Sequence, residues 1–247
     1  MTLKIFTNYS PNFNPIKRRS AQIKFLIFHY TGMKKESDAI KKLTNFKSNV
    51  SCHYFIKKKG ETLVMVPDLY VAWHAGKSHW KKFKSLNKYS IGIEISNPGH
   101  NFTYNRFSKK QIQSLIKLSK ILIKKYKIKP KNILGHSDIS PERKKDPGEK
   151  FPWKEFAKQR IGLWHSISIA RLIKNRGIKI NKISENIFYN NLHKIGYLNE
   201  KFKNLKKKNY KNYIIKAFQR RFRQEIINGK IDKECLIISE NLANKYK

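Results

Sequence analysis

Acid is what this chain has least of. Asp and Glu number 16 against 55 Lys and Arg, for a formal net charge of +39. A surplus of that size raises nucleic acid as a partner, but the means of reading it are thin. Only ten of the basic residues are arginine, the side chain that grips guanine or phosphate at two points at once. Nor is the charge gathered: residues 181–247 and the residues before them carry it in proportion to their lengths. A diffuse lysine load reads as compositional bias, so no specific nucleic-acid surface is expected, only a general pull towards polyanions. Cysteine is nearly absent too. Cys52 and Cys235 lie far apart, which excludes a disulfide framework and matches no zinc or redox spacing. Both are expected to be ordinary, partly buried thiols. No apolar run reaches transmembrane length. Residues 1–20 are polar, contain Pro11 and Pro15, and lack the apolar core of a secretory signal, which points to the cytoplasm.

What is present suffices for a core. Hydrophobic residues make up 39% and aromatics 13% of 247 residues, enough for one large domain or a medium one with a small one. After an extended lead-in over 1–20, residues 23–29 form an apolar run of strand length that ends in His29. Residues 37–46 carry Ala39, Ile40, Leu43 and Phe46 at helical spacing, with Ser37 as the expected N-cap. Residues 53–58 and 62–66 read as a hairpin around Lys59-Gly60. Residues 67–89, rich in Trp, His and Lys, have no period and read as a long loop. Residues 90–96 alternate, placing Ile91, Ile93 and Ile95 on one face and Gly92 and Glu94 on the other. Ser108 and Gln111 form a capping-box signature for a helix running to about Tyr126. A strand over 132–135 leads into a Pro-, Gly- and charge-rich loop, and a short helix covers 153–160.

This order implies an α/β fold, a mixed β-sheet flanked by helices on both faces. Residues 166–180 read as a linker. Residues 181–247 read as a small domain of three amphipathic helices.

His29 and His136 each close a strand, and Asp146 lies on the loop after His136. If those strands are neighbours, two nitrogens and one oxygen converge and leave a fourth position open, the pattern of catalytic rather than structural zinc. Glu94 would then take a proton from the zinc-activated water, and Lys144 would stabilise an oxyanion. The competing reading is that each His is a hydrogen-bonded residue at a strand end.

The segments Ile27-Phe28-His29-Tyr30-Thr31, Cys52-His53-Tyr54-Phe55-Ile56, Ala72-Trp73-His74-Ala75-Gly76, Ser90-Ile91-Gly92-Ile93-Glu94 and Leu134-Gly135-His136-Ser137-Asp138-Ile139 resemble the type 2 zinc-dependent N-acetylmuramoyl-L-alanine amidases. So does the run from Pro141 to Trp153. The anhydro-muramyl-peptide amidases belong to that family, and peptidoglycan recognition proteins are related to it. The match spans residues 20–160, in order. Ile214 to Arg223 and Asn228-Gly229-Lys230-Ile231-Asp232 resemble a helical peptidoglycan-binding domain. The resemblance implies a catalytic domain over 1–165, a linker over 166–180 and a peptidoglycan-binding-like domain over 181–247.

It also implies one zinc ion on His29, His136 and Asp146, with Glu94 as base and Lys144 assisting. The implied reaction is hydrolysis of the amide between N-acetylmuramic acid, or its 1,6-anhydro form, and L-alanine of the stem peptide. His74 is implied to line the substrate groove or else to pack on Trp73. Trp73 would stack on sugar or fill core. Arg143 would meet a stem-peptide carboxylate or stay solvated, and Asn97 would touch substrate. Peptidoglycan or muropeptides are the expected partners, and the expected state is a monomer. The two-domain resemblance points to the cell envelope, against the cytoplasm suggested by the polar start. The alternative from another class is a peptidoglycan-binding protein without catalysis.

Overall fold

The computed structural model describes residues 3–198 and 208–245. Residues 1–2, 199–207 and 246–247, which belong to the expected lead-in and helical part, lie outside the described residues. Strand β3, Phe25–Tyr30, runs through the middle of the molecule. Its neighbours are β9, Ser90–Ile95, and β10, Ile133–Gly135, both parallel to it. Beyond β9 lie β4, Tyr54–Ile56, then β5, Thr62–Val64, and at the edge β1, Ile5–Thr7. Only β4 and β5 run antiparallel, so the six-stranded sheet is mixed. The lead-in is thus not merely extended, since β1 lengthens the sheet. Small pairs complete the strands: β2, Phe13–Asn14, with β6, Val71–Ala72, and β7, His79–Trp80, with β8, Phe83–Lys84.

Alternation along the strands decides what each face buries. Leu26, Phe28, Ile91, Ile93, Ile95 and Ile133 turn to one face and pack against α2, Lys109–Tyr126, and α4, Trp153–Lys158. The Ser108–Gln111 capping box opens α2 as its sequence predicts. Leu115 and Leu122 of that helix are buried, each contributing about 1.5–3 kcal/mol by leaving water. Helix α1, Glu36–Thr44, covers the opposite face at the β4–β5 end, through Ala39 and Leu43 onto Phe55 and Leu63. Ser37 is not its cap. The N-cap position is Lys35, and Glu36 and Asp38 favour the helix start through the macrodipole instead.

The remainder of that face, Phe25, Ile27 and Leu134, is covered by Trp80 and Leu86 of the long loop and by the C-terminal helices. These are α6, Lys182–Ile195, α7, Lys208–Phe222, and α8, Lys233–Lys245. A short helix α5, Ile169–Asn175, capped by Ser168, lies within the stretch expected to be linker. Phe188, Leu192, Tyr197, Phe218 and Phe222 form one continuous core with the sheet residues. Phe218 and Phe222 are core, and so is Trp80, whose ring meets Tyr197 edge-on at 4.9 Å. Cys52 and Cys235 are both buried free thiols.

Candidate metal centre

Three parallel strands end side by side and bring residues at or just past their C-terminal ends to one rim. In the β3–β9 register His29 lies opposite Glu94. In the β3–β10 register Gly135 lies opposite Phe28, so His136, the first residue of the one-turn helix α3, His136–Ile139, stands beside His29. Asp146 returns to this point because the loop is tied across its base, the Ser137 N–H donating to the Asp146 carbonyl at 2.8 Å. Gly135 allows the return. A Cβ there would lie 2.7 Å from Pro147.

His29 Nδ1 lies 2.9 Å from His136 Nδ1 and 3.0 Å from Asp146 Oδ2, and His136 Nδ1 lies 3.1 Å from the same oxygen. Proton counting shows that the two nitrogens do not bond to each other. Ser90 Oγ donates to the Leu86 carbonyl at 2.7 Å and has no second proton to give. His74 Nε2 therefore donates to Ser90 Oγ at 3.0 Å, which leaves His74 Nδ1 as an acceptor. His29 Nε2 donates to that acceptor at 2.9 Å, so His29 Nδ1 bears only a lone pair. His136 Nε2 donates to the Ala75 carbonyl at 3.2 Å, which bares His136 Nδ1 in the same way. Three lone pairs thus meet at one point, and a cation is what such a donor set accepts. The three residues are buried. Two imidazole nitrogens and a carboxylate oxygen suit zinc, with room for a fourth ligand.

Electrostatics agree with this assignment of protons. Burial, and next the nearby His136, push the His29 imidazole down to about 4, so it is neutral at physiological pH. Burial likewise drives His74 well below its usual value. Glu94 moves the other way. Burial, then the charge of Asp146, raise it to about 8, and its Oε2 has no hydrogen-bond partner among the described residues. A buried, unpaired carboxylate oxygen beside a cation site fits a group that handles a proton there.

The centre opens into a cleft of about 430 Å³ lined by Trp73, His74, Glu94, His136, Lys144 and Asp146. Helix α1 supplies the opposite wall through Ala39, Lys42 and Leu43. Lys144 lies on the rim, where its charge acts on both His29 and Glu94. Arg143 also borders the cleft, but its Nη2 donates to the Lys77 carbonyl at 2.6 Å and to Ser140 Oγ at 3.0 Å, latching the long loop to the metal loop. His74 is buried beneath His29 with both ring nitrogens engaged. Its ring rests on Gly92, where a Cβ would lie 2.3 Å from it. His53 lies deeper, accepting the Gly92 N–H at 3.0 Å. Asn97 does not reach the cleft: its Nδ2 donates to the Asn105 carbonyl and its Oδ1 accepts the Gly99 N–H. Ser90 is the contributor that sequence reading passed over, although it shares the alternating face of Gly92 and Glu94.

The family model described as N-acetylmuramoyl-L-alanine amidase matches residues 19–149. The chain is similar to the N-acetylmuramoyl-L-alanine amidase AmiD of Escherichia coli, 35% identical over 246 residues, which cover 93% of this chain and 87% of that one. It is also similar to the 1,6-anhydro-N-acetylmuramyl-L-alanine amidase AmpD of E. coli, 38% identical over 107 residues, covering 43% and 56%. The structure of E. coli AmiD in complex with the substrate anhydro-N-acetylmuramic acid-L-Ala-D-gamma-Glu-L-Lys matches with a TM-score of 0.77 at 34% identity, over 91% of this chain and 90% of that one. AmpDh3 of Pseudomonas aeruginosa matches with a TM-score of 0.79 at 31% identity, over 94% of each chain.

Proposed function

The chain belongs to the N-acetylmuramoyl-L-alanine amidase family and is a hydrolase of peptidoglycan turnover, and we propose that it works with one zinc ion on His29, His136 and Asp146. The bond cleaved joins the lactyl group of N-acetylmuramic acid, or its 1,6-anhydro form, to L-alanine of the stem peptide. Supporting the metal reading is one observation above all: three proton-free donors, 2.9–3.1 Å apart, converge beside an unpaired carboxylate oxygen of Glu94. Zinc in an open three-ligand site supplies a water acidic enough to act near neutral pH and polarises the scissile carbonyl.

The protein's own groups do the rest. Glu94 accepts the proton of the attacking water and returns it to the departing amine of L-alanine. Lys144 places its ammonium by the carbonyl oxygen as negative charge develops there. Trp73 offers an aromatic face to the sugar end of the cleft. Arg143 holds the cleft wall and presents its remaining N–H groups to a stem-peptide carboxylate. His74 acts on substrate only by fixing His29. Residues 1–165 form the catalytic unit, and residues 181–247, reached through 166–180, present the polymer-facing surface of a monomer.

Mass spectrometry of products from anhydro-muropeptide and from intact sacculi, with and without chelator, tests the reading. Free stem peptide that disappears with chelator and returns with zinc is the expected result. A zinc-loaded protein that binds muropeptide without cleaving it would be a binding protein instead. Glu94→Gln is expected to keep stoichiometric zinc and lose turnover by about 10²–10⁴-fold. A near-normal rate would remove Glu94 from its role as base.

A further inference from the structure

Three of the ten arginines fall within four residues, Arg220, Arg221 and Arg223, and all three are buried. Buried guanidinium groups are costly unless paired, so their partners are informative. Arg223 donates to Asp232 at 2.5 Å and stays within the helical part. The other two reach the metal loop, whose one-turn helix α3 packs directly against α7. Arg221 Nη1 donates to Asp138 Oδ2, and its Nη2 donates to the Ile133 carbonyl at 2.9 Å. Its guanidinium lies 4.2 Å over the ring of Trp153. Tyr197, also from the helical part, donates its O–H to Asp138 Oδ1 at 2.5 Å.

Asp138 in turn accepts the Gly135 N–H at 2.8 Å, closing the single turn that begins with His136. Arg220 lies 3.8 Å from Glu149, three residues after Asp146. Glu149 accepts from His100 Nε2 at 3.0 Å, and His100 Nδ1 accepts the O–H of Tyr30, the neighbour of His29. Gln224 donates to the Phe151 carbonyl at 2.7 Å. The segment from 136 to 151, which supplies two of the three ligand residues, is therefore held at both ends by side chains from about one turn of chain at the end of α7.

We propose that the end of α7 positions the metal centre: Arg221 and Tyr197 set His136 through Asp138, while Arg220 and Gln224 set the stretch after Asp146. The C-terminal helices are then part of the metal-binding unit as well as a surface for polymer. Metal geometry tolerates only about 0.2 Å in a ligand distance. Loss of Arg221 leaves the Asp138 carboxylate buried without its cation. Turning that carboxylate to find water releases the Gly135 N–H and moves His136 off the point where it meets His29 and Asp146. This proposal rests on reading His29, His136 and Asp146 as the ligands.

The test is the rate at which full-length protein loses zinc to a competing chelator, read beside thermal unfolding. Arg221→Met is compared with Arg223→Met, which removes an equally buried guanidinium whose partners avoid the metal loop. The expected result is loss of zinc roughly tenfold faster or more for Arg221→Met, the size of effect outer-shell partners exert, with Arg223→Met within about twofold of the parent. Arg221→Lys, which keeps the cation, is expected to recover part of the difference. If Arg221→Met does not fold, Tyr197→Phe removes one bond to the same carboxylate without unpairing a charge, and it too is expected to speed zinc loss. Equal zinc loss from the Arg221 and Arg223 variants, or parent-like loss from Arg221→Met or, in its place, Tyr197→Phe, would overturn the proposal. A parent protein that takes up no zinc would instead overturn the ligand reading.

Discussion

Asp138 and Asp146 stand eight residues apart on one loop, and both are buried, yet their surroundings are opposites. Asp138 receives protons from every side: the Gly135 N–H, the Tyr197 O–H and the Arg221 guanidinium. Asp146 faces two imidazole nitrogens whose protons are already committed elsewhere. The first carboxylate is satisfied by the protein alone, and the second is not. A buried carboxylate is therefore identified by the donors aimed at it. A saturated one holds chain together, and an unsaturated one beside bare nitrogens is able to take up a cation.

The contrast can be broken experimentally. Asp146→Ala carries the largest expected effect: stoichiometric zinc and amidase turnover are both lost, while the thermal stability of the metal-free protein changes little. Zinc content by elemental analysis with a melting curve in chelator checks it, and a large loss of metal-free stability would put Asp146 in the same class as Asp138. Asp138→Asn comes next. It leaves Arg221 without its anion and is expected to cost about 3–5 kcal/mol in denaturant unfolding, with or without zinc.

A smaller effect is expected one layer below the ligands. Ser90→Ala removes the acceptor that fixes the His74 tautomer, so zinc affinity should fall by about 10–100-fold with Glu94 untouched, as seen by competition with a chromophoric chelator. Unchanged affinity would mean that His29 keeps its orientation without this chain of bonds.

The smallest effect is a pH slope. In the metal-free protein Glu94 holds its proton up to about 8, because burial and next Asp146 raise it, whereas the unfolded chain releases that proton near 4.5. The native state thus binds more protons between those values, so this contribution to stability is complete below about pH 4.5 and is lost as pH rises towards 8. Glu94→Gln should flatten that slope in melting curves taken across the window. An unchanged slope would assign it to another group.

Much of the scaffold is legible in the residues, because it obeys short periods. The alternation of 90–96, the capping box at Ser108 and the apolar run over 23–29 each depend on neighbours in sequence; the strands form over Ser90–Ile95 and Phe25–Tyr30, and the capping box opens its helix as read. His29, Glu94 and His136 meet because parallel strands in register bring strand ends together. Ser90 was equally readable from its face. The pairing of Arg221 with Asp138 was not, since 83 residues separate them and no period relates a helix to a segment so distant in the chain. The same reason hides the shared core: amphipathic helices show that they bury a face, and nothing in their spacing says against what. Ser37 falls two positions after the actual N-cap, Lys35, inside the first turn, where its hydroxyl caps nothing.

Gly92 has a consequence for how this sequence can drift. The His74 ring lies close against its bare backbone, and a Cβ at this position would meet that ring at 2.3 Å. Every residue other than glycine brings a Cβ, so any amino-acid replacement here would dislodge the imidazole that holds His29. A lineage that keeps the reaction has no neutral step available at position 92. Only a compensating change at position 74 would open one, and it would have to offer His29 an acceptor from a smaller side chain.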